Sequence, residues 1–411
     1  MLNDCLVVGA GPAGIMAAIR AAELGKKTLL LEKNANIGNK LLLTGKGRCN
    51  LTNNEELEVF LKAYGKKGDF LRDAFKTFFN KELVGLLKKK GVKVKVERQE
   101  RIFPESDKSA SVLKAFSDYL NELNVKVVLN ATVSRISVEG GKVKGVFLKD
   151  GRFLVSPKVI IATGGVSFKD TGSTGDGLIF AEKAGHNIID LRPGLVPLRV
   201  KEKFIHKLQG LTLKNVRITF KQDKKTIHSG IGEVLITHFG ISGPLVLDLS
   251  SIITSWLKDS FVSASIDLKP GLSAEQLDKK FLAELSGNRK IVNYLPSVLP
   301  GKMVELFIEM LGFNPDKKLN QINKKERLNL VKLLKDFSFN IDGSLGLEEG
   351  MVTCGGVSLK EINPKTMQSR IVKGLYFAGE VIDIDAVSGG YNLQAAFSTG
   401  YLAGQNAGSN E

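Results

Sequence analysis

Cysteine, histidine and tryptophan are scarce in this 411-residue chain, with three, four and one of each. Cys5, Cys49 and Cys354 form no C-x-x-C pair, and His186, His206, His228 and His238 lack metal-ligand spacing. That pattern argues against a zinc site or a disulfide framework and points to a reducing cytoplasm, with no metal expected. No apolar run approaches the roughly 18 residues of a membrane-spanning helix. The apolar start imitates a signal peptide, but Asp4 stands where a basic n-region belongs, so no targeting segment is expected.

What the chain has in excess is positive charge. Hydrophobic residues make up 43% and charged ones 25%, ordinary values for a globular protein, yet the formal net charge is +16. The excess is concentrated in 58–101, 196–230 and 271–335. A single lysine run is a solvated face; three basic regions suit a polyanionic partner such as nucleic acid.

Residues 4–32, DCLVVGAGPAGIMAAIRAAELGKKTLLLE, read as strand, tight turn, helix and second strand. Gly9, Gly11 and Gly14 have G-x-G-x-x-G spacing where the helix opens, with Pro12 and Ala13 between them. Gly9 permits the turn, Gly11 admits a pyrophosphate to the backbone, and Gly14 allows close helix–strand packing. Glu32 ends the second strand, where a carboxylate meets a ribose diol, and Lys33 follows it. This is an α/β, Rossmann-type dinucleotide-binding unit.

The C-terminal part chooses between FAD and NAD. In 374–404 a strand ends at Gly379-Glu380, and Gly389-Gly390 opens a helix that includes Tyr391, Asn392, Leu393 and Gln394. Flavoproteins with two dinucleotide folds use such a strand to bring an acid to the ribitol chain, and the helix N-terminus to meet the flavin. The VIIATGG run at 159–165, with Ala162, Thr163 and Gly164, resembles their other short signature. No second strand–GxGxxG–helix unit is present, and GSTGDG at 172–177 follows no buried strand. FAD is therefore the expected cofactor, with NADH or NADPH a transient reductant.

GAGPAG, TGKGRCNLTN, RIFPESDKSA, ATGGVSFKDTGSTGDG, HFGISGP and GEVIDIDAVSGGYNLQAAF occur in this order, and the chain resembles the bacterial BaiN/YhiN-like FAD-dependent oxidoreductases over nearly its whole length. The resemblance implies a discontinuous FAD-binding domain at 1–194 and 346–411. Within it stands an inserted β-rich domain, 195–270 and 336–345, holding a small helical domain, 271–335. Alternation at 211–221 and 261–267 fits strands, and 272–335 has helical spacing with a Ser273 or Asn314 type start.

In flavoproteins of this build the segment after the ribose-binding acid crosses the isoalloxazine ring, so TGKGRCNLTN is expected against the flavin. Gly45 and Gly47 would let backbone N–H groups approach the ring, Lys40 or Arg48 would stabilise reduced flavin, and Asn50 and Asn53 would fix the loop. Val133 and Asp383 join the expected cofactor residues. Cys49 is either a proton-donating thiol or an inert buried one. Cys5 reads as a core-strand residue and Cys354 as part of a TCGG turn. His238, in ITHFGISGP, is either structural or a substrate contact or acid, with Glu233 a weaker candidate.

The resemblance offers two activities: reduction of uridine to dihydrouridine in large-subunit ribosomal RNA, and reduction of an activated C=C bond in a small, steroid-like molecule. The positive charge favours RNA. A reading of another class is a flavin-bearing RNA-binding or redox-sensing protein without turnover.

Overall fold

A computed structural model describes residues 3–258 and 260–409. The chain divides into two compact units, Met1–Gly194 with Leu347–Glu411, and Leu195–Gly346.

The first unit is built on five parallel strands, ordered Leu375–Phe377, Val159–Ile161, Cys5–Val8, Thr28–Leu31 and Lys126–Val128. Four of them are wholly buried, which explains continuous apolar runs where a half-exposed strand would alternate. The first strand lies in the middle, its sequence neighbour on one side and the late strands on the other. That places a topological switch point at its carboxyl end.

The helix Pro12–Glu23 follows this strand, and the helix Tyr391–Gly408 packs along it. Their contact is made by small residues at four-residue spacing. A Cβ on Gly400 would sit 2.2 Å from the Ala13 carbonyl oxygen, and one on Gly404 2.3 Å from that of Ala17. Close backbone approach, not a wide apolar stripe, joins the two ends of the chain.

In the second unit, strands Leu198–Val200, Thr212–Gln222, Gly232–Ile236, Gly240–Ser242, Val262–Asp267 and Phe337–Ser344 pair antiparallel and close on themselves. The result is a six-stranded barrel, with Lys225–His228 added as a hairpin arm. Period-2 alternation sends Ile218, Phe220, Ala264, Ile266, Phe337 and Phe339 into one core. Helices Ala274–Glu284, Gly301–Leu311 and Lys324–Lys335 share that core. Ser273 caps the first of these, accepting from Gln276 N. Asn314 is not a helix cap. Its side chain accepts from Asp316 N in a turn, and the cap is Asn323, which accepts from Glu326 N. Cys354 also differs from expectation, lying in the buried strand Val352–Val357 instead of a turn.

Candidate active site

The carboxyl ends of the parallel strands open into a cavity enclosing about 1370 Å³ of empty space, including its mouth. Its wall includes Gly9, Gly11, Pro12, Ala13, Glu32, Lys33, Lys40, Val133, Ala162, Thr163, Gly164, Gly379, Glu380, Asn392 and Leu393.

The three motif glycines have different structural reasons. Gly9 has φ +99°, and a Cβ on Gly14 would lie 1.8 Å from the Gly9 carbonyl oxygen. Both are glycine because the strand–turn–helix junction leaves no room. A Cβ on Gly11 would meet no protein atom within 4 Å. Its bareness serves the cavity.

Several features fit a dinucleotide. Gly11 caps the first helix without a side-chain hydrogen bond, and no acid occupies the first turn, so its N–H groups and the positive end of the dipole are free for phosphate. Glu32 is buried, with Oε2 accepting from Ala10 N at 2.9 Å and Oε1 from Asn34 N at 2.9 Å. Thr163 lines the wall with its Oγ1 turned into the protein, against Gly177 of the helix Asp176–Lys183. The last helix also begins here, on Gly390 at φ +99° and without a side-chain cap. The residues present fit FAD.

One wall carries a charged network. Lys40 Nζ lies 2.6 Å from Glu380 Oε2 and 2.7 Å from Ser167 Oγ. Glu380 Oε1 accepts from Ser167 Oγ at 3.0 Å and from Thr353 N at 2.7 Å. Each of these partners is a donor, and together they fix the direction of the Glu380 carboxyl group. Lys33 is paired separately, with Asp176 at 2.7 Å.

The loop of residues 44–53 is placed differently from expectation, since Thr44 alone of it lines the cavity. Arg48 bonds Glu97 and Asp107 and lies 4.2 Å over the Phe103 ring. Gly45 abuts Asn50 N and Phe103, which explains its lack of a side chain by packing within the loop, while Gly47 has open space around it and is not in the wall. Cys49 is fully buried, and burial pushes its thiol up to about 12 against a hydrogen bond with Thr44. The physical reason is packing between distant segments: Glu97 and Asp107 take up the charge of Arg48, and the fold encloses Cys49. Asn50 donates to Thr52 O at 3.2 Å and accepts from Gly390 N at 2.9 Å, and Asn53 donates to Gly389 O at 3.1 Å. The loop thus braces the turn that opens the last helix.

Four other expected residues lie outside the wall. Asp383 pairs with Lys67 at 2.7 Å, the Tyr391 carbonyl accepts from Tyr64 Oη, Gln394 is buried against Ser398, and Gly390 packs on Thr52. His238 and Glu233 are exposed on the second unit, with the His238 ring edge-on to Phe239. Gly172, Ser173 and Asp176 do line the cavity, although sequence reasoning does not find them. No buried strand precedes GSTGDG to mark it; a short 3-10 turn, Lys169–Thr171, delivers it instead. Half-exposed Met351 escapes in the same way, having no motif around it.

Residues 3–406 match the HI0933-like protein Rossmann domain. The chain belongs to this family. It is 31% identical over 412 residues to the 3-dehydro-bile acid delta(4,6)-reductase of Clostridium scindens, covering 99% of both chains. It is 32% identical to the ribosomal RNA dihydrouridine synthase of Escherichia coli, covering 98% of this chain and 97% of the relative. The Haemophilus influenzae protein of that name is 33% identical, with 97% of both covered. Among solved structures, the 3-ketosteroid delta1-dehydrogenase of Sterolibacterium denitrificans aligns over 99% of each chain with TM-score 0.56 at 13% identity. A flavocytochrome c3 fumarate reductase aligns over 99% of this chain and 78% of its own with TM-score 0.54 at 16% identity. The likeness is one of fold, shared with flavoprotein reductases and dehydrogenases.

Proposed function

We propose that this protein is an FAD-dependent reductase of an activated C=C bond, and that its substrate is a uridine of large-subunit ribosomal RNA, reduced to dihydrouridine. The observation that carries the chemistry is the cavity itself. It runs past an uncapped helix N-terminus, a buried strand-end carboxylate and a lysine–glutamate pair, the three contacts that a phosphate, a ribose and a redox-active ring require. The full-length likeness to two ribosomal RNA dihydrouridine synthases supports the substrate, and the charge of +16 suits a polyanion.

FAD held here, once reduced by NADH or NADPH, would supply the hydride for one carbon of the double bond. The chain's part is binding, charge and proton placement. The first-helix N–H groups and Gly11 would hold the FAD pyrophosphate, and Glu32 would accept from its ribose. Lys40 Nζ stands at the wall between Glu380 and Ser167. That Nζ would face negative charge in a reduced flavin ring, and it is the proton source we assign in place of the enclosed Cys49 thiol.

The bile-acid reductase relative favours a second reading, an enone-type substrate handled by the same machinery. Purified holoprotein with NADH or NADPH, offered dihydrouridine-free large-subunit ribosomal RNA and a steroid enone in parallel, separates them. Dihydrouridine formed in the RNA supports the first reading. Enone reduction with unmodified RNA replaces it by the second.

A further inference from the structure

None of the residues lining the cavity belongs to the barrel, and the outer surface of the barrel has a specific composition of its own. We propose that the hairpin Thr212–Gln222 with Lys225–His228, together with the neighbouring strand Val262–Asp267, binds the phosphodiester backbone of RNA. This rests on the ribosomal RNA reading above and gives that substrate its docking surface.

Alternation along Thr212–Gln222 buries Val216, Ile218 and Phe220, so Arg217, Thr219 and Lys221 face outward. Strand register then assembles cross-strand rows. One row is His228, Thr219, Ser265 and Ser338; the next is Thr226, Lys221, Ser263 and Asn340. Neither row contains a carboxylate. In a third, Arg217 stands opposite Asp267, whose Oδ2 accepts from Lys335 Nζ at 2.6 Å and is therefore already countered.

Acids also stand at the far end, where Asp336 accepts from Ser338 and Glu202 from Asn340, and at the hairpin turn, where exposed Asp223 is followed by Lys224 and Lys225. The positive field is left on the hairpin. Arg217 and Lys221 are exposed and enter no ion pair among the described residues, whereas Arg48, Lys40 and Lys67 of the first unit are each matched to carboxylates. Exposed His228 is anchored by its Nδ1 to Thr219 Oγ1 at 2.9 Å.

Hydroxyls, amides and unmatched cations on a rigid sheet are the groups that contact phosphate oxygens. No Phe, Tyr or Trp stands in these rows, and their one ring, the imidazole of His228, is tied to Thr219, so the rows offer phosphate contacts rather than a run of stacking platforms. The surface therefore supplies sequence-independent, salt-sensitive affinity.

The test is the affinity of the holoprotein for transcribed large-subunit ribosomal RNA, measured over a salt series. Compared are wild type, an Arg217→Ser/Lys221→Ser double variant, an Arg217→Lys/Lys221→Arg double variant, and a Lys88→Ser/Lys89→Ser control on the helix Asn80–Lys89. The serine variant at 217 and 221 should lose about tenfold or more in affinity, and its log K against log salt slope should shrink by about 1.4, near 0.7 for each phosphate no longer neutralised. The charge-keeping variant and the control should bind as wild type, and all should keep the same thermal unfolding and flavin spectrum. If wild type binds but the serine variant binds equally well, the surface assignment is overturned while the RNA reading stands. If the Lys88/Lys89 control loses as much, the attraction is diffuse and the assignment also fails. If wild type does not bind the RNA, both fail.

Discussion

Lys40 and Glu380 are 340 positions apart in the chain, and Nζ of one lies 2.6 Å from Oε2 of the other in the cavity wall. Each is only about one-fifth exposed at its side chain, so neither charge is well served by water. Lys40→Met leaves Glu380 with Ser167 and Thr353 N as donors but without a cation. We expect turnover to fall about 100-fold or more, the scale of a lost positioned proton donor, with FAD still bound. Steady-state kinetics beside the flavin spectrum check this.

Cys49 should behave as an inert thiol. It is enclosed, and burial holds it up at about 12, so it remains a thiol at neutral pH. Native protein at pH 8 should leave Cys49 unlabelled by iodoacetamide until it is unfolded, as read by peptide mass spectrometry. Cys49→Ala should keep turnover within about threefold while lowering stability by about 1 kcal/mol, from the small void left in the core.

The motif glycines should separate folding from binding. Gly14→Ala places a methyl on the Gly9 carbonyl. It should destabilise the protein by about 1–3 kcal/mol or more, as overpacking does. Gly11→Val meets no protein atom at its Cβ, so thermal unfolding of the apoprotein should change little while FAD affinity falls at least about tenfold, roughly 1.4 kcal/mol. Apoprotein unfolding and FAD titration measure the two effects independently.

His186 provides an acid limit to stability. Its Nε2 lies 2.9 Å from Ser369 Oγ, an oxygen that already accepts from Ile371 N and Val372 N. With both lone pairs taken, Ser369 must donate, so His186 must be neutral at Nε2. Burial lowers the His186 pKa, against the pull of Glu361. A histidine depressed below its unfolded value near 6.5 contributes stability that is complete above that value and is lost as pH falls through the folded one. Thermal unfolding followed from about pH 8 to pH 5 should show a decline that His186→Asn flattens.

Much of the site is legible in local pattern. The strand, turn, helix and acid of residues 4–32 are contiguous, and their glycine spacing has a steric reason visible in one dimension. The late strand and its Gly379-Glu380 end are legible for the same reason. What escapes depends on distant partners. Arg48 reads as a free cation until Glu97 and Asp107 are brought to it, and Cys49 reads equally as a thiol at the flavin or an inert buried one until its loop encloses it. Barrel closure needs Thr212–Gln222 to pair with both Gly232–Ile236 and Val262–Asp267, and alternation reports a strand's faces but not its neighbours. The Gly400 and Gly404 contacts with Ala13 and Ala17 are likewise hidden, because small residues leave little amphipathic signal.

The central claim is that this chain reduces a uridine of ribosomal RNA. The most direct measurement is nucleoside mass spectrometry of purified large-subunit ribosomal RNA from cells with the gene, without it, and with it restored as wild type or as Lys40→Met. The account predicts that dihydrouridine disappears on deletion, returns with the wild-type gene and stays absent with the variant. Dihydrouridine unchanged by deletion, or present in none of the strains, would contradict it and leave the enone reductase as the function of this cavity.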